Sequence, residues 1–242
     1  MSSVHDEEPF VRPALVLLDL DGTLVDHDGA ESAAITDWAD AAGFPSSVDG
    51  IPIAQVWHDL AEATFPEYRA GRLTFQGQRR QRVARFLPLV GVETNRMSDD
   101  ELDAEFLHYL HRYEGAWVAY PDAVDCLTRL RSRVRVAVLT NGDQAQQEDK
   151  VRRTGLADLV EAVLASSTLG VAKPDPAAFT LAADRLGVPP GDVVYVGDRV
   201  DVDARAATRA GMHGIWLDRI GDGPTPTDVP TIRSLTELPI AT

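Results

Sequence analysis

The sequence predicts an α/β protein: a parallel sheet with helices on both faces, interrupted after its first strand by an inserted α-helical cap. Three observations predict it. The apolar run Ala14–Leu18 ends at Asp19-Leu20-Asp21-Gly22, where a buried strand meets a turn. From Pro121 onward strand-like and helix-like segments alternate, the rhythm of a parallel sheet with crossover helices. Between the two, from Ala30 to about Tyr113, the periodicity is helical, with no convincing strand pair. The first strand must therefore rejoin a sheet whose other strands lie beyond residue 120. The insertion is expected to act as a lid over the carboxyl end of that strand.

Residues 1–13 carry Asp6, Glu7 and Glu8 but neither a basic stretch nor a long apolar core, so they read as a flexible tail rather than a signal peptide or anchor. The core is expected over 14–26 and 118–242, and the cap over 27–117. Ala14–Asp19 is the first strand. Within the cap, Gly43, Pro45, Pro52, Pro66, Gly71, Gly77 and Gly91 break up the helices. Ser98 followed by Glu101 is a capping box ahead of Leu102, Phe106 and Leu110. The acids Asp99, Asp100 and Glu101 suit a helix N-terminus. A helix over about Asp122–Ser132 leads to a strand at Val134–Leu139, and a helix near Gln144–Thr154 stops at Gly155. Val160–Ala165 is a short strand. Asp175 caps a helix with Pro176 at its first position and Gly187 at its end. A strand at Val193–Val196, a helix at Val202–Ala210 and a strand at His213–Leu217 follow. Gly221–Pro230 is a Gly/Pro/Thr loop.

The composition excludes several roles. The chain has 242 residues, enough to bury a sizeable core. A net charge of −15 argues against binding phosphate backbones or anionic membrane surfaces, which demand basic protein surface. No apolar run approaches the roughly 20 residues of a spanning helix. The lone Cys126 cannot form an internal disulfide and reads as a small buried hydrophobe. A cytoplasmic enzyme is the default expectation.

Chemistry gathers outside the carboxyl ends of parallel strands, and four such ends carry polar groups here. They are Asp19 with Asp21, Thr140-Asn141-Gly142, Lys173-Pro174 at a helix start, and Gly197-Asp198 followed by Asp201 and Asp203. Carboxylates packed at one sheet edge repel one another, so the arrangement makes sense around a hard divalent cation. All-oxygen ligation with few protein ligands suits Mg²⁺. Lys173 is one of two lysines beside 21 arginines, and a compact ammonium can bridge a carboxylate and a phosphate. Phosphoryl transfer needs a nucleophile, charge neutralisation and a proton for the leaving group. Asp19 can attack, Lys173 and Mg²⁺ can neutralise, Thr140 can hold a phosphate oxygen, and Asp21 can serve the leaving group and then water.

With these motifs in view, the sequence resembles the haloacid dehalogenase-like hydrolase superfamily, in the subfamily whose helical cap follows the first core strand. The family's four motifs are matched by Asp19-Leu20-Asp21-Gly22-Thr23, Leu139-Thr140-Asn141-Gly142, Lys173-Pro174, and Gly197-Asp198 with Asp203 five residues later, and the likeness covers 14–26 and 118–237. It implies a Rossmann-like core. It also implies Asp19 as nucleophile and metal ligand, Asp21 as general acid/base with its backbone carbonyl on Mg²⁺, Asp198 as third ligand, and Asp203 acting through water or orienting Lys173. The implied activity is that of a Mg²⁺-dependent phosphatase on small phosphate monoesters of sugar-phosphate or nucleotide type, through an aspartyl-phosphate. A phosphosugar mutase of the same cap class would share all four motifs and differ in its product. A non-catalytic binding protein on this fold is opposed by the intact motif set. Dehalogenating relatives do not keep an Asp at the position of Asp21. Arg199 and Ala206 depart from the small Ser and the Gly common in the family.

The remaining candidates are weaker in pattern. His27 can touch a leaving group or mark the hinge after Asp26; Asn141 can orient Asp19 or shape its turn; Asp201 reads as a cap or surface residue. His58, His108 and His111 read as helix-surface positions, and Trp38, Trp57, Trp117 and Trp216 as core or domain-seam residues. From Tyr68 to Val92 the chain has six arginines and no acid. They are available either to steer an anion, with Arg72 a candidate substrate contact, or to pair with acidic helices. The expected partner is a small phosphorylated metabolite, with neither nucleic acid nor membrane, and the protein a monomer or homodimer.

Overall fold

The computed structural model describes residues 12–221 and 225–238, without the side chain of Arg69. All but the last two residues of the expected tail lie outside this described set. The chain divides into two compact units: one holds the sequence up to Val25 and from Ala119 on, the other is Asp26–Val118.

The first unit is built on β1 (Leu15–Leu18). Its four side chains are fully buried, each contributing about 1.5–3 kcal/mol relative to exposure. Alternation sends them to both faces of the sheet. Val16 and Leu18 join one apolar layer with Val136, Val138, Val194 and Val196. Leu15 and Leu17 join the other with Ala137, Leu139, Val193 and Tyr195.

The second unit is a bundle of α1 (His27–Ala42), α2 (Ile53–Arg69), α3 (Phe75–Leu89) and α4 (Asp99–Gly115). Here α1 packs on α2 and α4, and α3 on the same two helices. Its core is aromatic: Trp57, fully buried, lies 4.6 Å from Tyr109 and 5.0 Å from Phe86 between ring centroids. The capping box of Ser98 and Glu101 starts α4, with Asp99, Asp100 and Glu101 in the first turn. One expectation fails here, because the segment does contain a strand pair. An antiparallel ribbon of β2 (Ser47–Val48) and β3 (Ile51–Pro52) turns at Asp49-Gly50, where both residues take positive φ. Such a two-residue turn matches the twist of paired strands. Two-residue strands are too short to show alternation, so periodicity passes over them.

The returning chain completes the first unit with α5 (Pro121–Leu130), β4 (Arg135–Thr140), α6 (Gln144–Arg153), β5 (Val163–Ala165), α7 (Ser166–Leu169), α8 (Pro176–Leu186), β6 (Val193–Gly197), α9 (Ala204–Arg209), β7 (His213–Leu217) and β8 (Thr231–Ile232). The six strands form one parallel sheet in the order β5-β4-β1-β6-β7-β8. Helices α5 and α6 feed the layer of Val16, and α8 and α9 that of Leu15. Cys126 is buried on α5, and burial pushes its thiol up to about 11. The expected strand from Val160 begins later because a 3-10 turn occupies Ala157–Leu159, and α7 and β8 are short elements without a periodic signature. The order reverses at β1, which lies between β4 and β6. That reversal opens a crevice beyond the carboxyl ends of these strands.

Candidate active site

The turn after β1 fixes the first two acids. Asp19 N–H still donates to the Val196 carbonyl of β6 at 2.9 Å, beyond the regular ladder. Leu24 and Val25 then donate back to the Leu20 carbonyl, so the chain doubles over on itself. Arg219, two residues past the end of β7, braces this loop. It donates to the Thr23 carbonyl at 2.7 Å and to the Gly22 carbonyl at 3.3 Å while its guanidinium forks onto Asp122.

Asp19, 7% exposed, accepts from Lys173 Nζ at 2.7 Å. Lys173 has three donors, and each has a buried acceptor: Asp19, Asp203 Oδ1 at 2.7 Å and the Tyr195 hydroxyl at 2.8 Å. Its backbone is clamped as well. Asn141 Nδ2 donates to the Lys173 carbonyl and Asn141 Oδ1 accepts from Lys173 N–H, both at 2.9 Å. The Asn141 amide thus serves Lys173 instead of acting on Asp19. Asp203 receives a third bond on its other oxygen from Arg199 N–H at 3.0 Å, which closes the loop between β6 and α9.

Asp198 sits opposite. Trp216 Nε1 holds its carbonyl at 2.8 Å, and its carboxylate takes a long 3.5 Å bond from Thr23 Oγ1. The carboxylate packs so close to Gly22 that a Cβ there would fall 2.4 Å from Asp198 Oδ2, and Gly22 has φ +80°. Only glycine fits both requirements.

The electrostatics follow from crowding. Asp19, Asp198 and Asp203 each present a carboxylate oxygen, all within 4.8 Å of one another. Burial, reinforced by Asp203 and against the pull of Lys173, raises the Asp19 carboxyl to about 6. Burial and the neighbouring Asp19 and Asp203 charges lift Asp198 well above the usual carboxylate range. Burial acts to lower the Lys173 ammonium, but Asp19 and Asp203 outweigh it and hold the group above the ordinary lysine value.

The candidates Asp19, Asp21, Thr140, Asn141, Lys173, Asp198 and Asp203 all belong to the first unit. Thr140, 1% exposed, ends β4 beside β1. The two others belong to the second unit. His27 Nδ1 lies 2.7 Å from the Tyr113 hydroxyl. Arg72 forks onto Glu67 at 2.6 and 2.8 Å. Much of the arginine-rich stretch is engaged in the same way: Arg80 pairs with Asp99 and Asp103, Arg82 with buried Glu31, and Arg79 lies over Phe75. Asp201 is exposed and pairs with Arg205. Sequence reasoning missed Tyr195, Arg219, Gln147 and Lys150. Tyr195 is the one polar side chain in the apolar run of β6, and Lys150 is the chain's only other lysine.

Gly22→Ala should leave the protein folded but weaken divalent-cation binding by roughly 10–100-fold, the usual cost of disturbing a ligand's supporting contacts. Titration of Mg²⁺ by calorimetry, with circular dichroism as control, measures it; unchanged affinity would separate Asp198 from the cation.

The sequence profile of the haloacid dehalogenase-like hydrolases matches residues 13–211. The phosphoserine phosphatase of Thermus thermophilus is 32% identical over 226 residues, covering 85% of this chain and 88% of that protein. The glyceraldehyde 3-phosphate phosphatase of Methanopyrus kandleri is 44% identical over 101 residues, and that match spans only 41% of this chain and 43% of the relative. Among solved structures, the magnesium-bound hydrolase YfnB of Bacillus subtilis shares the fold with a TM-score of 0.78 at 22% identity, over 94% of this chain and 97% of that one.

Proposed function

The chain belongs to the haloacid dehalogenase-like hydrolase family, and from that membership we propose that it hydrolyses small phosphate monoesters with Mg²⁺ as cofactor. The observation that carries this reading is the pairing of Asp19 with a fully engaged Lys173 at the sheet edge, with Asp21 two residues on and Asp198 opposite. Both relatives aligned above are named as phosphatases.

The residues fit the cation. Four carboxylates (Asp19, Asp21, Asp198, Asp203) meet two ammonium groups (Lys150, Lys173). Two negative charges remain, which one divalent ion balances. Both oxygens of Asp203 are engaged by protein donors, so Asp19 and Asp198 would be its carboxylate ligands, with the Asp21 backbone carbonyl the further ligand that the family resemblance implies. All are hard oxygen donors, the set that suits Mg²⁺. When bound, Mg²⁺ supplies charge neutralisation on the phosphate oxygens.

Asp19 attacks phosphorus, forming a carboxyl–phosphate bond as the bond to the leaving oxygen breaks. Lys173 keeps Asp19 ionised and aimed. Asp21, ionised in the resting site but open to solvent, takes up a proton as substrate enters, gives it to the leaving oxygen, then takes one from the water that releases phosphate and restores Asp19. Thr140, at the end of the neighbouring strand, is set to hold a phosphate oxygen. Dehalogenation needs no proton for its leaving group and would give Asp21 nothing to do.

A panel of small phosphate monoesters, beginning with phosphoserine and glyceraldehyde 3-phosphate, tests the proposal. Release of inorganic phosphate with Mg²⁺ and its loss with EDTA are expected. Absence of phosphate release across the panel would overturn the reading, and an isomerised sugar phosphate in its place would identify a mutase.

A further inference from the structure

Helix α6 carries Gln147 and Lys150 one turn apart, so both side chains lie on one face of the helix. They are buried, with 3% and 1% exposure, and both reach Asp21. Lys150 Nζ lies 2.5 Å from Asp21 Oδ1, and Gln147 Nε2 lies 3.5 Å from Asp21 Oδ2. Gln147 Nε2 also donates to the Asn141 carbonyl at 3.3 Å, which ties α6 to the turn after β4. The chain has two lysines among 23 basic residues. Each is buried against one of the two aspartates that follow β1: Lys173 against Asp19, Lys150 against Asp21.

The pair is asymmetric. The Lys150 side chain is 1% exposed, whereas that of Asp21 is 24% exposed. A buried ammonium is held in place by its carboxylate because leaving it unpaired is costly. Lys150 is therefore the fixed partner and Asp21 the one at the open edge. An aspartate has two side-chain torsions, and a loop residue with an open side would sample several rotamers. With Oδ1 drawn toward α6, the plane of the carboxylate is set before any substrate arrives.

We propose that Lys150 is a positioning residue for the reaction: it holds Asp21 in the one orientation from which its carboxylate reaches the leaving-group oxygen. This inference rests on the phosphatase reading above, in which Asp21 handles that proton. Proton delivery requires the acid within hydrogen-bond reach of the leaving oxygen, and a misplacement of about 1 Å can cost on the order of 10²-fold. Loss of Lys150 should therefore act on the proton-dependent part of catalysis, with substrate binding spared.

The test is kcat/KM for two substrates in Lys150→Met and Lys150→Arg. An alkyl phosphate has a leaving group that needs a proton; p-nitrophenyl phosphate does not, and kcat/KM excludes the later hydrolysis of the phospho-enzyme. Lys150→Met is expected to lower kcat/KM for the alkyl phosphate by about 10–100-fold, a part of the general acid–base contribution. The fall for p-nitrophenyl phosphate should be at least tenfold smaller. Lys150→Arg, which keeps the charge but moves the donor, should fall between wild type and Lys150→Met. It decides alone, on the same two substrates, should Lys150→Met not fold. Combined with Asp21→Asn, the Lys150 change should cost little more, because both act through one group. Equal losses on both substrates, or full additivity with Asp21→Asn, would overturn the inference and leave the phosphatase reading intact. A wild-type enzyme without phosphate release would overturn that reading itself.

Discussion

Asp19→Asn should reduce phosphate release by on the order of 10⁴-fold or more, the scale seen when a nucleophile is removed, while the chain stays folded. The substitution keeps the shape of the side chain and removes a buried charge whose carboxyl is already raised to about 6. Lys173 keeps Asp203 and the Tyr195 hydroxyl as acceptors. Acid-quench trapping with labelled substrate should find phosphate on wild-type protein and none on the variant. Turnover at the wild-type rate in a sequence-verified variant, free of deamidation to Asp, would remove Asp19 as the nucleophile.

Lys173→Met carries the largest expected cost to stability. It leaves Asp19 and Asp203 buried near each other without the ammonium that bonds to both. Breaking a buried pair in this way costs about 3–5 kcal/mol, readable as a shift in the urea midpoint. The pH dependence has a definite sign. Asp19 has a folded pKa above its unfolded value, and Lys173 is the group that lowers it. Without Lys173 the folded value rises further, so the folded state binds protons more tightly than the unfolded chain. Stability then increases as pH falls through that value and is lowest above it. The deficit against wild type should therefore shrink as pH falls toward about 6, the value of the wild-type carboxyl. A deficit that does not change with pH would mean that the lost stability comes from packing of the lysine stem.

Much of this was legible in the sequence because it is periodic or capped. The strand at His213–Leu217, the helix from Pro176 closed by Gly187, and the capping box at Ser98 each rest on local chemistry that tertiary contacts did not override. The ribbon at Asp49-Gly50 carries a turn dipeptide that signals a hairpin, but its two-residue strands are too short to alternate between flanking helices. The site divides in the same way. Residues at strand ends announce themselves, and Asp19, Asp21 and Asp198 do so. Lys150 does not, since it sits mid-helix in a charged run, Glu148-Asp149-Lys150, that reads as a solvated face. Its burial follows from which face of α6 meets the sheet, and two of the three residues buried on that face, Gln147 and Lys150, are polar. For Asn141 the sequence leaves two roles open, orienting Asp19 or shaping the turn, and its amide bonds to the Lys173 backbone, 32 positions away, which local pattern does not reveal.

The place of β1 has a consequence for synthesis. It leaves the ribosome well before either of its neighbours, for Leu15 pairs with Arg135 on one side and Val193 on the other. At about 5–20 residues per second, Leu-Val-Leu-Leu emerges many seconds before its first neighbour exists. The bundle of Asp26–Val118 is continuous in sequence and has its own aromatic core, so it can fold while β1 waits. During that interval the nascent chain displays an unpaired apolar strand upstream of a finished module, the kind of segment that holdase chaperones bind. A ribosome stalled before Arg135 should therefore yield a chain whose bundle resists protease while the β1 segment is cut.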